Sequence, residues 1–328
     1  IVVLMLLSVS WVQGADIYIS NNINWSAITG GSGPGGLPSS ADNVYTQGNT
    51  VTVNVANAVC ATISIGKNGQ GGSLIFNSGS VLTVSGNVIS SGNKPNAITM
   101  SLGGTLKCTG FTLTNTNLTW TPGTGTVELT ATNTLPSSVF TSFNNLSISG
   151  GTTTLGSSVS VGGTLLQSGG NIAVGTNTLT VNGTHDAGTY TVTGNGTYTL
   201  ASGATLITAN LAGITSSGAT GTIQTNTRNY NTAANYRFNG SADQVTGNGL
   251  PATVTSFRVQ NTGGVVTLSN ASLSATTLTI DAGAKLTVNS GQSLSATILN
   301  ISSDVTNGTG TLVNGGTATF TTANVTQS

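Results

Sequence analysis

The single histidine of this sequence, His185, is followed directly by Asp186 within Asn182-Gly-Thr-His-Asp-Ala-Gly188. An imidazole beside a carboxylate is the pair that general-base chemistry requires. Adjacent side chains of a strand point to opposite faces, however, and a Gly-flanked His-Asp reads more simply as a solvated turn with the aspartate at its corner. The remaining acids are Asp16, Asp42, Glu128, Asp243, Asp281 and Asp304. Cutting a polysaccharide needs grouped charge: two carboxyls across the sugar bond for hydrolysis, or acids holding Ca2+ beside a proton-abstracting base for a lyase. No two acids here are adjacent and none forms Asp-x-Asp, although stacking of chain segments could join distant ones. Serines abound, but no Gly-x-Ser-x-Gly elbow comes with a His and an acid at strand ends. The sequence therefore nominates no catalytic, cofactor-binding or metal-binding residue and no cofactor.

Other motifs read as structure. Gly66-Lys-Asn-Gly-Gln-Gly-Gly72 lacks the Lys-Ser/Thr ending and the following helix of a phosphate loop, so it is a turn. Sequons at Asn117, Asn145, Asn195 and Asn300 are expected by chance in so Asn- and Thr-rich a chain. Thr-x-Thr triplets begin at Thr112, Thr178, Thr191, Thr197 and Thr277 and would pair hydroxyls on a strand face. Their spacing is uneven, which favours ordinary outward faces over the aligned array an ice-binding surface needs. Trp25, Trp120, Tyr190, Tyr198, Tyr230 and Tyr236 could stack on sugars, with packing the favoured role for each. Arg228 and Arg237 bracket Tyr230 and Tyr236 in the least repetitive stretch, 225–238, which reads as an inserted loop.

These residues must be positioned by strands. Of 328 residues 46 are Gly and 4% are charged, but 37% are hydrophobic and the net charge is zero, so the chain can bury a core and is not of the disordered class. One glutamate, Glu128, and many Thr and Val argue for β over helix. Seven basic residues scattered singly make no stripe for nucleic acid. A surface of hydroxyls and amides suits sugars, minerals and other protein surfaces. Runs such as Val51-Thr-Val-Asn-Val55, Val81-Leu-Thr-Val84, Leu179-Thr-Val181 and Leu286-Thr-Val288 alternate with period two, separated by Gly, Asn and Ser. No helix is read beyond the first residues.

Leu135-Pro-Ser-Ser-Val-Phe-Thr-Ser-Phe143 matches Leu250-Pro-Ala-Thr-Val-Thr-Ser-Phe257, and the match runs on, relating units near 135–181 and 250–295. Stacked coils produce such repeats, since no coil buries its own apolar face alone. A string of antiparallel sandwiches is the competing architecture. Sandwich strands are longer and their interiors use aromatic filling; here most runs have three to five residues and aromatics make up 5%. The expectation is an all-β parallel β-helix, a β-solenoid over 44–328 behind an N-terminal cap segment at 15–43.

Ile1-Val-Val-Leu-Met-Leu-Leu-Ser-Val-Ser-Trp-Val-Gln-Gly14 is apolar, too short to span a bilayer and followed by small residues, which predicts a signal peptide over 1–14 and a mature chain without a transmembrane segment. Starting without Met or a basic region, the sequence reads as a fragment at that end. Cys60 and Cys108 are too few for a disulfide scaffold or thiolate metal site. One bridge between them after export and two thiols simply packed in strands both stay open, packing being favoured.

The segment from Asn24-Trp through the Gly/Pro loop to Asp42-Asn-Val44 resembles the start of large secreted bacterial repeat proteins. Phe143-Asn-Asn-Leu-Ser-Ile148, Gly163-Thr-Leu165 and Asn177-Thr-Leu-Thr-Val181 are similar to the internal repeats of Bacteroidetes-type adhesin-like parallel β-helix proteins. The resemblance implies export to the cell surface and a structural or adhesive stalk with polar Thr/Ser/Asn faces. Its partners would be carbohydrate or other cell-surface components, with lateral or end-to-end self-association allowed. A β-helix polysaccharide lyase or hydrolase and an ice-binding solenoid are the alternatives.

Overall fold

The computed structural model describes residues 14–114, 117–304 and 308–327. The signal-peptide expectation therefore falls, apart from Gly14, outside the described residues. The chain is a β-solenoid of about 13 coils. It has short parallel strands and, among the described residues, only two single-turn 3-10 segments, Trp25–Ala27 and Pro34–Gly36. It divides into two compact units, one ending at Thr121 and the other beginning at Pro122.

In the first unit each coil contributes one residue to each of several inward columns. Thr50–Val53 alternates so that Val51 and Val53 face in, and Val51 stands in register with Leu74, which pairs in turn with Ile98. On a second face Ile17, Val44, Ile63, Val88 and Phe111 stack in the same way. Each buried Val, Leu or Ile of such a column contributes about 1.5–3 kcal/mol, and the Thr and Ser between them stay outside. The segment from Gly66 to Gly72 is a corner, as its composition implies. Gly66 has φ +75°, and a Cβ there would lie 2.4 Å from the Ser91 carbonyl oxygen. Only glycine fits.

The third face of this unit settles the cysteines. Cys60 pairs with Val84, and the register of Thr105–Cys108 on Val81–Val84 places Cys108 on that same Val84 from the other side. The two thiols are thus two rungs apart, about 9.6 Å at about 4.8 Å per rung, beyond the roughly 7 Å that a disulfide can span between Cα atoms. Both are fully buried, and burial pushes Cys108 up to about 12 and Cys60 higher still, the nearby Asp42 charge adding to the latter. An aromatic-disulfide thiol reagent is expected to find no reactive group in the native protein and two after denaturation, with or without prior oxidation. Loss of both thiols on mild oxidation of the native chain would contradict the register.

Asp42 organises the N-terminal cap. Its carboxylate accepts hydrogen bonds from the backbone N–H groups of Ala15 (2.6 Å), Ser32 (2.8 Å) and Ser39 (2.7 Å) and from the Ser32 hydroxyl (2.9 Å). Burial alone would raise its pKa, but these donors outweigh burial and hold the carboxyl well below the usual range. The start of strand Asp16–Tyr18 and two points of the Gly/Pro-rich loop are thereby tied to one residue. Because the folded pKa is depressed, this stabilisation is present above about pH 4 and is lost as the pH falls further. Asp42→Asn should cost about 2–3 kcal/mol. Amide hydrogen exchange would read it as faster exchange at Ala15, Ser32 and Ser39, with the strands from Thr105 to Cys108 unchanged.

The second unit is built on a long parallel face. Val127, Leu146, Leu165, His185, Leu206, Tyr236, Phe257, Leu278 and Leu299 form one in-register inward column. Successive members are 19 to 21 residues apart, with one exception: Leu206 to Tyr236 spans 30. The extra length is an excursion between strands Thr205–Thr208 and Ile223–Tyr230. The stretch 225–238, read from composition as an inserted loop, instead forms most of Ile223–Tyr230 and all of Asn235–Phe238. Arg228 and Tyr230 break the low-complexity pattern because they serve the excursion. Arg228 donates to the carbonyls of Thr215 (3.0 Å), Gly218 and Thr225 (2.9 Å), and the Tyr230 hydroxyl donates to Thr215 O (3.2 Å).

Candidate functional site

His185 lies in strand Thr184–Asp186, wholly buried, not in a solvated turn. Its partners complete a closed polar network in the core. The Gln167 amide group donates to Gly170 O (2.9 Å) and Thr191 O (3.2 Å), so the Gln167 oxygen is the acceptor for His185 Nε2–H at 2.9 Å. Nδ1 then accepts from the Tyr198 hydroxyl, also at 2.9 Å. Desolvation pushes the imidazole down to about 3 and raises the Tyr198 phenol. A neutral imidazole with both nitrogens occupied and no route to solvent is a structural hub. Asp186, on the opposite face of the strand, accepts from Gly188 N (3.3 Å) and does not touch the imidazole's partners.

The other acids also serve local structure. Asp16 accepts from Asn43 Nδ2 (2.9 Å) and the Tyr45 hydroxyl (3.2 Å), Glu128 from the Ser149 hydroxyl (2.7 Å) and Asp243 from Val265 N (2.9 Å). Asp281 takes a two-point contact from Arg258, Nε to Oδ1 at 3.0 Å and Nη2 to Oδ2 at 2.9 Å. The side chain of Asp304 lies outside the described residues. Among the described residues no three His, Cys, Asp or Glu side chains converge.

Of the aromatic residues named from sequence, Trp25, Tyr198 and Tyr236 are buried fillers. The Tyr236 hydroxyl donates to Asn231 O (2.8 Å), and Tyr190 reaches Ser168 O (3.3 Å). Sequence reasoning passed over another aromatic pair: the exposed Tyr18 and the half-buried Tyr45 stack on adjacent coils at 4.8 Å with the Lys67 ammonium 3.5 Å from the Tyr45 ring centre. Nothing in the spacing of Tyr18, Tyr45 and Lys67 signals this without knowledge of the coil length.

The outward faces are ordered columns of hydroxyls and amides. Thr178 and Thr180 stand in register with Thr197 and Thr199, and these with Thr227 and Asn229. Ser160 precedes Thr180 in the same column. Rungs repeat at about 4.8 Å and the two columns are roughly 6.6 Å apart, two strand rises. Two of the five Thr-x-Thr triplets thus align despite uneven spacing, while Thr191/Thr193 and Thr277/Thr279 do not join them. Between strands the columns are tied by side chains, as in Asn229 Nδ2 to Thr199 Oγ1 (3.2 Å) and Asn182 Nδ2 to Ser160 Oγ (2.8 Å). Comparison with known proteins returns no matching family model, no matching curated protein and no matching solved structure.

Proposed function

We propose that this chain is an extracellular or cell-surface structural repeat protein of the adhesin-like kind, whose stacked coils hold polar columns for contact with a surface or a glycan and which is not an enzyme. The observation that carries this reading is the in-register outward array from Ser160 through Thr180 and Thr199 to Asn229. A periodic row of hydroxyls and amides on a stiff parallel sheet makes many weak contacts at fixed spacing and gains by their number. The described hydrogen bonds of the carboxylates support it from the other side, because each holds a turn, a cap or a rung. Among the described residues no helix is long and apolar enough to cross a membrane.

The test is incubation of the purified chain with a panel of soluble and insoluble polysaccharides, following both retention and product release. Retention on at least one polymer without new reducing ends or unsaturated products is expected. Turnover would replace this reading with the lyase or hydrolase alternative. The array has only two complete Thr-x-Thr rungs, bounded by Ser158 and Ser160 on one side and by Thr227 and Asn229 on the other. A thermal-hysteresis assay is accordingly expected to show no ice-binding activity; a measurable freezing-point gap would favour that alternative.

A further inference from the structure

We infer that the outward surface around Arg237 and Arg258 is a subsite for an acidic sugar, one bearing a carboxylate or sulfate beside free hydroxyls. The inference rests on the surface-contact reading and specifies its ligand. In a chain with seven Lys and Arg, two guanidinium groups stand directly in register on neighbouring coils. Like charges opposed across a rung of about 4.8 Å repel, and a fold that merely needed polar outward residues would use Thr or Asn there, as it does elsewhere. Asp281, on the next coil, neutralises Arg258 alone. The next acid on this face, Asp186, is two coils from Arg237, with Ile207 between, and Glu128 lies three coils further along the same column. Among the described residues Arg237 is left with a positive charge and no ion pair, and its Nε is buried without a hydrogen-bond partner.

The neighbouring column reinforces this. Asn239, Gln260 and Asp281 follow their strands by one residue and stack through Gln260 N to Phe238 O (2.8 Å) and Asp281 N to Val259 O (2.9 Å). The side-chain oxygens of Asn239 and Gln260 are also buried without a partner, so three of the seven such atoms among the described residues fall in this one patch. On the opposite side Thr205, Asn235 and Ser256 form a polar column, and a hollow of about 240 Å3 lies between it and the two arginines. The groups match a sugar acid. The Arg237 and Arg258 guanidinium groups line the hollow, where a carboxylate or sulfate can take two parallel bonds and relieve the Arg237–Arg258 repulsion. Hydroxyls of the same sugar find amide and hydroxyl partners on either side. The hollow has room for one ring, so successive residues of a polymer would run on over the outward columns.

The experiment measures binding of the whole chain to a polyuronate, a sulfated polysaccharide and a neutral glucan at low salt, for the wild type and for Arg237→Gln and Asp281→Asn. The wild type is expected to bind at least one acidic polymer about tenfold more tightly than the glucan, a preference that shrinks as salt is raised. Whether polyuronate or sulfated polymer is preferred identifies the anion as carboxylate or sulfate. Arg237→Gln should abolish the preference with an unchanged far-UV spectrum and a melting temperature no lower than that of the wild type. Asp281→Asn, which leaves Arg237 intact and frees Arg258, should strengthen acidic binding and so provides a second reading if Arg237→Gln fails to fold. Equal binding of acidic polymers by wild type and Arg237→Gln, or weaker acidic binding by Asp281→Asn, overturns the subsite. Retention of the glucan without acidic preference overturns the subsite and leaves the surface-contact reading standing; binding to no polymer removes both.

Discussion

Phe257→Ala should destabilise the second unit by about 3–5 kcal/mol. Phe257 is fully buried between Tyr236 and Leu278 in the inward column and packs edge-on against Phe238, ring centres 5.6 Å apart at 78°. A solenoid core holds few side chains per coil, and the backbone ladder fixes the rungs above and below at about 4.8 Å. The walls cannot move in to fill the cavity, so the loss should lie near the upper part of the range for large-to-small changes. Since each coil depends on its neighbours, the damage should spread to the coils containing Tyr236 and Leu278. Urea unfolding followed by far-UV circular dichroism measures it. The comparison is Thr279→Ala, which follows Leu278 on the next coil and faces outward, and which should change stability by no more than about 0.5 kcal/mol. Equal effects from the two substitutions would show that Phe257 is not in the core.

A second large effect is expected from acid. The His185 pKa lies at about 3 in the folded chain, against an ordinary value of 6.5, because the imidazole is desolvated. An unfolded chain therefore takes up a proton as the pH falls through 6.5 while the folded chain stays neutral, so unfolding becomes progressively easier. The contribution is fully present above about pH 6.5, is lost between there and about pH 3, and amounts to something on the order of 5 kcal/mol. His185→Leu, which copies the neighbouring rungs Leu165 and Leu206, should flatten the stability profile across that window. It should also cost about 1–3 kcal/mol at neutral pH, since Tyr198 and Gln167 lose their partner in the core. Asp42 acts in the other unit and only below about pH 4, so loss of stability between pH 6 and 4 is the signature of His185. A wild-type profile flat across that interval would contradict the buried neutral imidazole.

The β-solenoid was legible because short period-two runs and sparse aromatics leave little alternative to a thin stacked core. Coil phase was not. Phe143 and Phe257 end similar phrases, nine and eight residues long, yet Phe143 stands on Ser142–Phe143 beside Val159–Val161, whereas Phe257 belongs to the column of His185 and Leu206. Similar words recur wherever a turn leads into a strand, so similarity marks turns more readily than coils. The position of His185 had a usable signal: Gly163-Thr-Leu165, Gly183-Thr-His185 and Ala204-Thr-Leu206 are the same phrase one coil apart, which puts the histidine where a leucine belongs. Its flanking glycines suggested a turn because a lone polar residue argues for solvent unless its partners are known. Gln167 and Tyr198, its partners, are 18 and 13 residues away. The Arg237–Arg258 pair was invisible for the same reason, being adjacent only once the coil length of 21 is known.

The inward and outward columns are defined by which residues share a rung, and cross-linking tests that most directly. In a Cys60→Ala, Cys108→Ala background, Thr178→Cys with Thr197→Cys places two outward cysteines on adjacent rungs, about 4.8 Å apart between Cα atoms, within disulfide range. Thr178→Cys with Thr227→Cys places them two rungs apart. The predicted result is rapid, near-complete cross-linking of the first pair under mild oxidation and none of the second. Cross-linking of the second pair, or of neither, would contradict the stacked register and with it the columns on which the proposed contacts rest.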